Sequence, residues 1–226
     1  MENRAYGQEA KTILMDDPTV TKIPVIECGE PLVDLGLNPL LVIDSRLADA
    51  VGKHRFVRAG LAQRLYRAAE SLPDEFRLLV VEGYRPLALQ IRYFNEYVAD
   101  LRKRFPGRNE RELRSLASRY VAPPDDLPPH CAGAAIDLTL IRKDGPEVYM
   151  GTEINDSPEQ SGGRCYSDSQ EISKESTSNR AVLATALENA GLANYPTEWW
   201  HWSYGDRYWS FKTATQTAIY GLIDSP

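Results

Sequence analysis

Four prolines, Pro123, Pro124, Pro128 and Pro129, stand just ahead of a histidine, His130. Each fixes φ and removes a backbone donor, so no helix can run through this stretch, and the chain must arrive at His130 stiffly. Gly133 then permits a tight bend. Ala135–Ile141 reads as a strand, with Ile136, Leu138 and Leu140 on one face and Ala135, Asp137 and Thr139 on the other. Asp137 interrupts a run that is otherwise apolar or small. A half-buried carboxylate costs several kcal/mol unless it is paired or metal-bound. A solvent-facing aspartate is the commoner case at such a position, but Gly133 could swing His130 back over the face that carries Asp137.

A second stretch, Glu198-Trp199-Trp200-His201, supplies another imidazole and a carboxylate. Two histidines and an aspartate are enough for the protein ligands of a catalytic zinc with a position left for water. Glu198 would be the spare carboxylate beside that water. In a regular strand, residues i and i+3 point to opposite faces, so Glu198 and His201 can share one site only if the segment bends or ends between them. The tryptophans of this stretch read as core and wall.

Arg85 follows the strand Phe76–Val81 and precedes a helix expected over Leu87 to about Arg104, with Leu89, Tyr93, Phe94 and Tyr97 on one face. A surface arginine at a helix start is the commoner reading. The functional reading is a cation aimed at charge developing on a carbonyl oxygen. His54 has no carboxylate nearby in sequence and reads as structural, and Cys131 reads as a bystander beside His130.

Elsewhere, Ile23–Gly29 is expected to be extended at an edge, and 32–43 is turn-rich without a clear period. A helical pattern runs from about Arg55 to Leu72, and Asn109 caps a helix to about Tyr120. Residues 151–175 read as a long polar loop, of the kind that serves as a lid. Thr177 or Ser178 would cap a helix to Asn189. Glu198–Tyr204 and Arg207–Phe211 read as hairpin-like segments around Gly205-Asp206. The expected organisation is an arm over residues 1–22 and a single domain over 23–226.

A net charge of −6 argues against nucleic acid and against an anionic membrane surface as partners. No apolar run approaches the roughly 20 residues that span a bilayer, and Met1–Thr12 carries no apolar stretch of a signal peptide. Three cysteines, an odd number without CxxC spacing, fit a reducing compartment. The expectation is a soluble cytoplasmic protein.

With these residues in view, the chain resembles the D-alanyl-D-alanine dipeptidases, zinc enzymes of vancomycin-resistance type whose family also contains D,D-carboxypeptidases. The resemblance rests on Gly83-Tyr84-Arg85-Pro86, the HxxGxAxD of His130–Asp137, Met150-Gly151-Thr152, Asn179-Arg180 and Glu198-Trp199-Trp200-His201, in the family's order. It implies an α+β fold of the Hedgehog and D,D-peptidase type, a central antiparallel sheet with flanking helices. It implies one Zn2+ per chain on His130, Asp137 and His201, Glu198 as general base and acid, Arg85 polarising the scissile carbonyl, and a small dipeptide as substrate. The chain departs from the family in two places. Pro128 and Pro129 stand where serines are usual. After Met-Gly-Thr, where an aspartate helps hold the substrate ammonium, the register gives Ile154, Asn155 and then Asp156, so Asn155 and Asp156 are the substrate-binding candidates. Hydrolysis of another small peptide or amide, by a related zinc carboxypeptidase or amidase, is the alternative within the class. A non-catalytic zinc-stabilised binding module is the alternative outside it; a binder has no need of Glu198 and Arg85.

Overall fold

The computed structural model describes residues 12–48 and 50–223; positions 1–11 of the expected arm lie outside them. The helices are α1 (Pro18–Thr21), α2 (Ala59–Ser71), α3 (Leu87–Arg104), α4 (Glu110–Ala117), α5 (Pro158–Ser161), α6 (Lys174–Asn189) and α7 (Arg207–Thr213). The strands are β1 (Leu32–Asp34), β2 (Leu41–Ile43), β3 (Phe56–Arg58), β4 (Phe76–Glu82), β5 (Ala135–Arg142), β6 (Ala193–Asn194) and β7 (His201–Ser203). β1 and β3 form a small antiparallel pair, and the main five-stranded sheet has the order β2-β4-β5-β7-β6.

The class is α+β, as expected, but the sheet is mixed. β2 runs parallel to β4, while the β4–β5, β5–β7 and β6–β7 pairs are antiparallel. β5 is the centre strand. Its Ile136, Leu138 and Leu140 are fully buried in one core with Leu61 and Leu65 of α2 and Leu183 and Leu187 of α6. Each such side chain contributes about 1.5–3 kcal/mol by leaving water. A second core, built on Phe94, Val98 and Leu101 of α3 with Leu113 and Ala117 of α4, makes a helical hairpin of its own.

Several elements differ from the sequence reading for identifiable reasons. The helical pattern expected from Arg55 begins only at Ala59, because Phe56–Arg58 is claimed by β1. Strand β2 is too short to show a period. α6 starts earlier than expected, where Ser173 Oγ accepts the Ser176 N–H at 3.0 Å. Arg207–Thr213 is a helix rather than a hairpin arm: Asp206 accepts the N–H groups of Tyr208 and Trp209 at 3.2 and 3.0 Å, an N-cap that the aromatic composition concealed. Within the 151–175 loop, Ser157 and Gln160 close a capping box around the short helix α5. On α3 the buried stripe is Gln90, Phe94, Val98 and Leu101, leaving Tyr93 and Tyr97 only partly buried beside it.

Candidate active site

The face of β5 that carries Asp137 is where the site is built. Asp137 pairs with His201 on β7 and with Glu82 on β4, and residues opposite one another in a ladder share a face. A carboxylate, a carboxylate and an imidazole thus lie in a row across three strands. Glu82 reaches this row through a bulge: the register slips between Val80 and Glu82, so Glu82 takes the place opposite Asp137 that an unbroken ladder would give to Val81.

His130 arrives from outside the sheet, on a 3₁₀ turn over Pro129–Ala132 that the prolines introduce. Gly133 ends that turn at φ +64°, and a Cβ there would lie 2.6 Å from the Leu32 side chain. The Nδ1 of His130 lies 2.7 Å from the Gly83 carbonyl oxygen. A carbonyl only accepts, so Nδ1 carries the proton and Nε2 presents a lone pair. Gly83 itself leaves no room for a side chain, since a Cβ would sit 2.5 Å from the Phe56 carbonyl oxygen.

Glu198 and His201 satisfy the bend that their spacing demanded. β7 begins at His201, and Glu198 sits in the preceding turn, where the His201 N–H donates to the Glu198 carbonyl at 3.2 Å. The Asn194 side-chain amide donates to the Glu198 and His201 carbonyls, each at 3.0 Å, and fixes that turn. The Glu198 carboxylate comes within 3.7 Å of His201 Nδ1.

Three atoms converge at the centre. His201 Nδ1 is 3.0 Å from Asp137 Oδ1, His130 Nε2 is 3.4 Å from the same oxygen, and the two ring nitrogens are 3.2 Å apart. Metal–ligand bonds of about 2.0–2.2 Å at a tetrahedral centre separate the ligand atoms by about 3.3–3.6 Å. The triangle matches one face of such a tetrahedron to within a few tenths of an ångström. One proton cannot satisfy three converging acceptors, whereas one cation can. Among the described residues these three form the group of histidine, cysteine and carboxylate side chains able to hold a metal ion, and all three are buried.

Electrostatics sort the carboxylates. Burial works to raise the pKa of Asp137, but the charge and hydrogen bonds of His130 and His201 outweigh it and hold Asp137 well below the usual carboxylate range. Burial, reinforced by the Asp137 charge, pushes Glu198 well above that range despite the opposing pull of Arg85. Burial lowers the pKa of His201 against the pull of Asp137. Metal ligation takes Asp137 as the anion and the histidines as neutral imidazoles, so a cation bound here would replace the histidine protons as the charge that holds Asp137 low.

Arg85 is held side-on by Glu82: Nε donates to Oε1 at 2.9 Å and Nη2 donates to Oε2. Nη1 donates to Gln90 Oε1 at 2.8 Å, and Gln90 in turn donates to the Ala122 carbonyl at 2.7 Å. Three of the five guanidinium N–H groups are thus engaged and two remain for a ligand. Tyr93 lies beneath the guanidinium, 5.1 Å from its carbon to the ring centre. Glu82 and Gln90 were missed by sequence reasoning. The signal was a charged residue ending an apolar strand directly before Gly83.

A cleft of about 320 Å³ opens over these groups, lined by Glu82, Arg85, His130, Asp137, Glu198 and His201 and walled by Met15, Tyr93, Tyr97, Tyr120, Tyr195 and Asn155. The wall is tyrosine rather than tryptophan. Trp199, Trp200 and Trp202 lie in the core, with Trp199 Nε1 donating to Thr152 Oγ1 at 2.8 Å. Asn155 takes φ +69° and faces the cleft, and its carbonyl accepts the Tyr120 hydroxyl at 2.6 Å. Asp156 does not line the cleft; its Oδ2 accepts the Glu153 N–H at 3.1 Å. The motif residues further along hold the loop. Arg180 donates to the carbonyls of Met150, Tyr166 and Arg164 at 2.7, 2.7 and 2.8 Å. His54 is buried outside the cleft lining, and its carbonyl accepts the Gly83 N–H. The Cys131 thiol is buried and pushed up to about 12, which leaves it protonated and inert.

The model of the family described as D-ala-D-ala dipeptidase matches residues 61–218, which hold every residue lining the cleft except Met15 and Leu47. A curated D-alanyl-D-alanine dipeptidase from Synechocystis sp. is 31% identical over 217 residues, spanning 84% of this chain and 88% of the relative. A D-alanyl-D-alanine dipeptidase from Enterococcus faecium is 32% identical over 152 residues, 65% of this chain and 71% of that one. Among solved structures, the LD-carboxypeptidase LdcB aligns at 19% identity and a TM-score of 0.45, over 82% of this chain and 73% of its own. The match covers most of the chain and brings with it the convergent His130, Asp137 and His201 and the adjacent Glu198: the chain belongs to the D-ala-D-ala dipeptidase family of metallopeptidases.

Proposed function

We propose that the protein is a zinc-dependent dipeptidase that hydrolyses D-alanyl-D-alanine. The observation that carries this reading is the triangle of His130 Nε2, Asp137 Oδ1 and His201 Nδ1, whose edges of 3.0–3.4 Å suit one zinc ion per chain. Bound there, zinc would supply Lewis-acid activation of a water and of the scissile carbonyl.

The chain's own residues do the rest. Glu198, 3.7 Å from His201 Nδ1 at the edge of the triangle, takes a proton from the attacking water as the carboxylate and returns it to the leaving amine. Arg85, oriented by Glu82 and Gln90, directs its two remaining N–H groups to the carbonyl oxygen as negative charge develops on it. Glu82 also neutralises Arg85, so the guanidinium adds no net positive charge beside a dication. The tyrosine wall limits water in the cleft. Asn155, on the wall, and Asp156, next to it, receive the amino end of the substrate. A cytoplasmic setting, with recovery or removal of cell-wall dipeptide as the use, belongs to the same proposal. It rests on free Cys28, Cys131 and Cys165 and on the lack, among the described residues, of a helix long and apolar enough to cross a membrane.

One observation favours a second reading. Because Asp156 is engaged with Glu153 and lies off the cleft lining, the demand for a free substrate ammonium is weakened, as in a carboxypeptidase or amidase of the same family. The deciding experiment is kcat/KM for D-Ala-D-Ala and for its N-acetyl form, in wild type and in Asp156→Ala. The dipeptidase reading expects wild type to prefer the free dipeptide strongly. It also expects Asp156→Ala to lose about 1.5–3 kcal/mol on that substrate alone, the worth of a charge-assisted hydrogen bond. Efficient cleavage of the acetylated form by wild type contradicts it and supports the second reading.

A further inference from the structure

Glu159 lies outside the cleft lining, yet it joins elements that form the cleft wall. It projects from α5 and accepts hydrogen bonds from the Tyr97 hydroxyl of α3 and from the guanidinium of Arg119, just past α4. Its side chain is 11% exposed and that of Arg119 26%, so the carboxylate is the shielded end of this ion pair. Tyr97 packs edge-on against Tyr120, ring centres 4.8 Å apart, and Tyr120 donates to the Asn155 carbonyl. Tyr97, Tyr120 and Asn155 all face the cleft.

The turn that follows α4 is also tied to the segment bearing Glu198. The Ser118 carbonyl accepts the Tyr195 hydroxyl at 2.8 Å, and the Arg119 carbonyl accepts the Thr197 hydroxyl at 2.6 Å. Segment 152–158, the α3–α4 hairpin and the Glu198 turn therefore meet at residues 118–120. The contacts at Ser118 and Arg119 use backbone carbonyls. The tie to α5 instead runs through side chains, with Glu159 meeting both the Tyr97 hydroxyl and the Arg119 guanidinium and Ser157 adding a contact to the same hydroxyl.

We propose that Glu159 is a positioning residue for substrate binding: through Tyr97 and Arg119 it clamps segment 152–158 against α3 and α4 and so fixes the wall formed by Tyr97, Tyr120 and Asn155. The proposal rests on the reading that this wall receives the dipeptide. It assigns Glu159 an effect on binding and none on the chemical step, since Glu198, Arg85 and the metal triangle are anchored by other contacts.

The test uses zinc-loaded wild type, Glu159→Ala, Glu159→Gln and Tyr97→Phe, with steady-state kinetics on D-Ala-D-Ala and amide hydrogen exchange on the same samples. Glu159→Ala should raise KM about tenfold with kcat within about twofold, and should speed exchange in 152–166 while β4 and β5 stay protected. Glu159→Gln and Tyr97→Phe, each keeping one of the two ties, should fall between. An equal loss in kcat with KM unchanged, or no rise in exchange over 152–166, overturns the proposal. If wild type fails to cleave D-Ala-D-Ala, the functional reading fails by itself, and the exchange arm still decides whether Glu159 is the clamp.

Discussion

Asp137 and His201 face one another directly across β5 and β7, with the carboxylate oxygen 3.0 Å from Nδ1, both buried. Two residues 64 positions apart are thereby locked together by the register of a ladder. A one-residue slip of β7 would put the two on opposite faces of the sheet. His130 completes the set from a loop, so metal binding should depend on all three.

Replacing either histidine by alanine should therefore leave a two-ligand site. Metal analysis should find about one zinc per wild-type chain and little in His130→Ala or His201→Ala. Full zinc content in both variants would show that the ion is held elsewhere.

The Glu82–Arg85 pair gives a stability prediction. Both side chains are shielded, at 4% and 11% exposure, and removing one partner leaves the other as an uncompensated charge. Glu82→Ala should cost about 3–5 kcal/mol in urea unfolding and also lower kcat/KM, because Arg85 loses its orientation. Arg85→Lys should not restore activity, since one ammonium cannot reproduce bonds made by three guanidinium nitrogens. Wild-type stability in Glu82→Ala would mean the pair is open to water.

Protonation gives a third. Glu198 faces Asp137, Arg85 and His201, and its pKa in the metal-free fold is raised by burial first and by Asp137 second. A carboxyl group with a raised folded pKa destabilises the fold as pH climbs from its unfolded value of about 4.3 through the folded one. Metal-free Glu198→Gln, which has no charge to bury, should melt above metal-free wild type at pH 8, with the gap closing toward pH 4.5. A gap that widens on acidification would show that Glu198 is stabilised as an anion.

Much of this was legible in the sequence because the chemistry sits on strongly patterned segments. The prolines before His130, the alternation around Asp137 and the tryptophan-rich Glu198–His201 segment each carried a local signal. What stayed hidden depends on tertiary pairing. β2 and β3 have three residues each and exist because β4 and β1 bind them. Glu82 enters the site through a bulge, which no periodicity announces. Of the cleft-facing tyrosines, Tyr93 and Tyr97 were visible as part of the α3 pattern, but their direction was not, since Gln90 rather than Leu89 takes the buried stripe.

Catalysis should separate from metal binding at Glu198. Glu198→Ala should keep its zinc and lose about 10²- to 10⁴-fold in kcat, the range of general acid–base catalysis. Loss of zinc along with turnover would make Glu198 a ligand.

A zinc-edge anomalous difference map from crystals of the zinc-loaded protein would locate the metal itself. A single peak is expected about 2.0–2.2 Å from each of His130 Nε2, Asp137 Oδ1 and His201 Nδ1, with the Glu198 carboxylate beyond bonding distance. A peak bonded to Glu198, or one that leaves out any of those three atoms, would contradict this assignment.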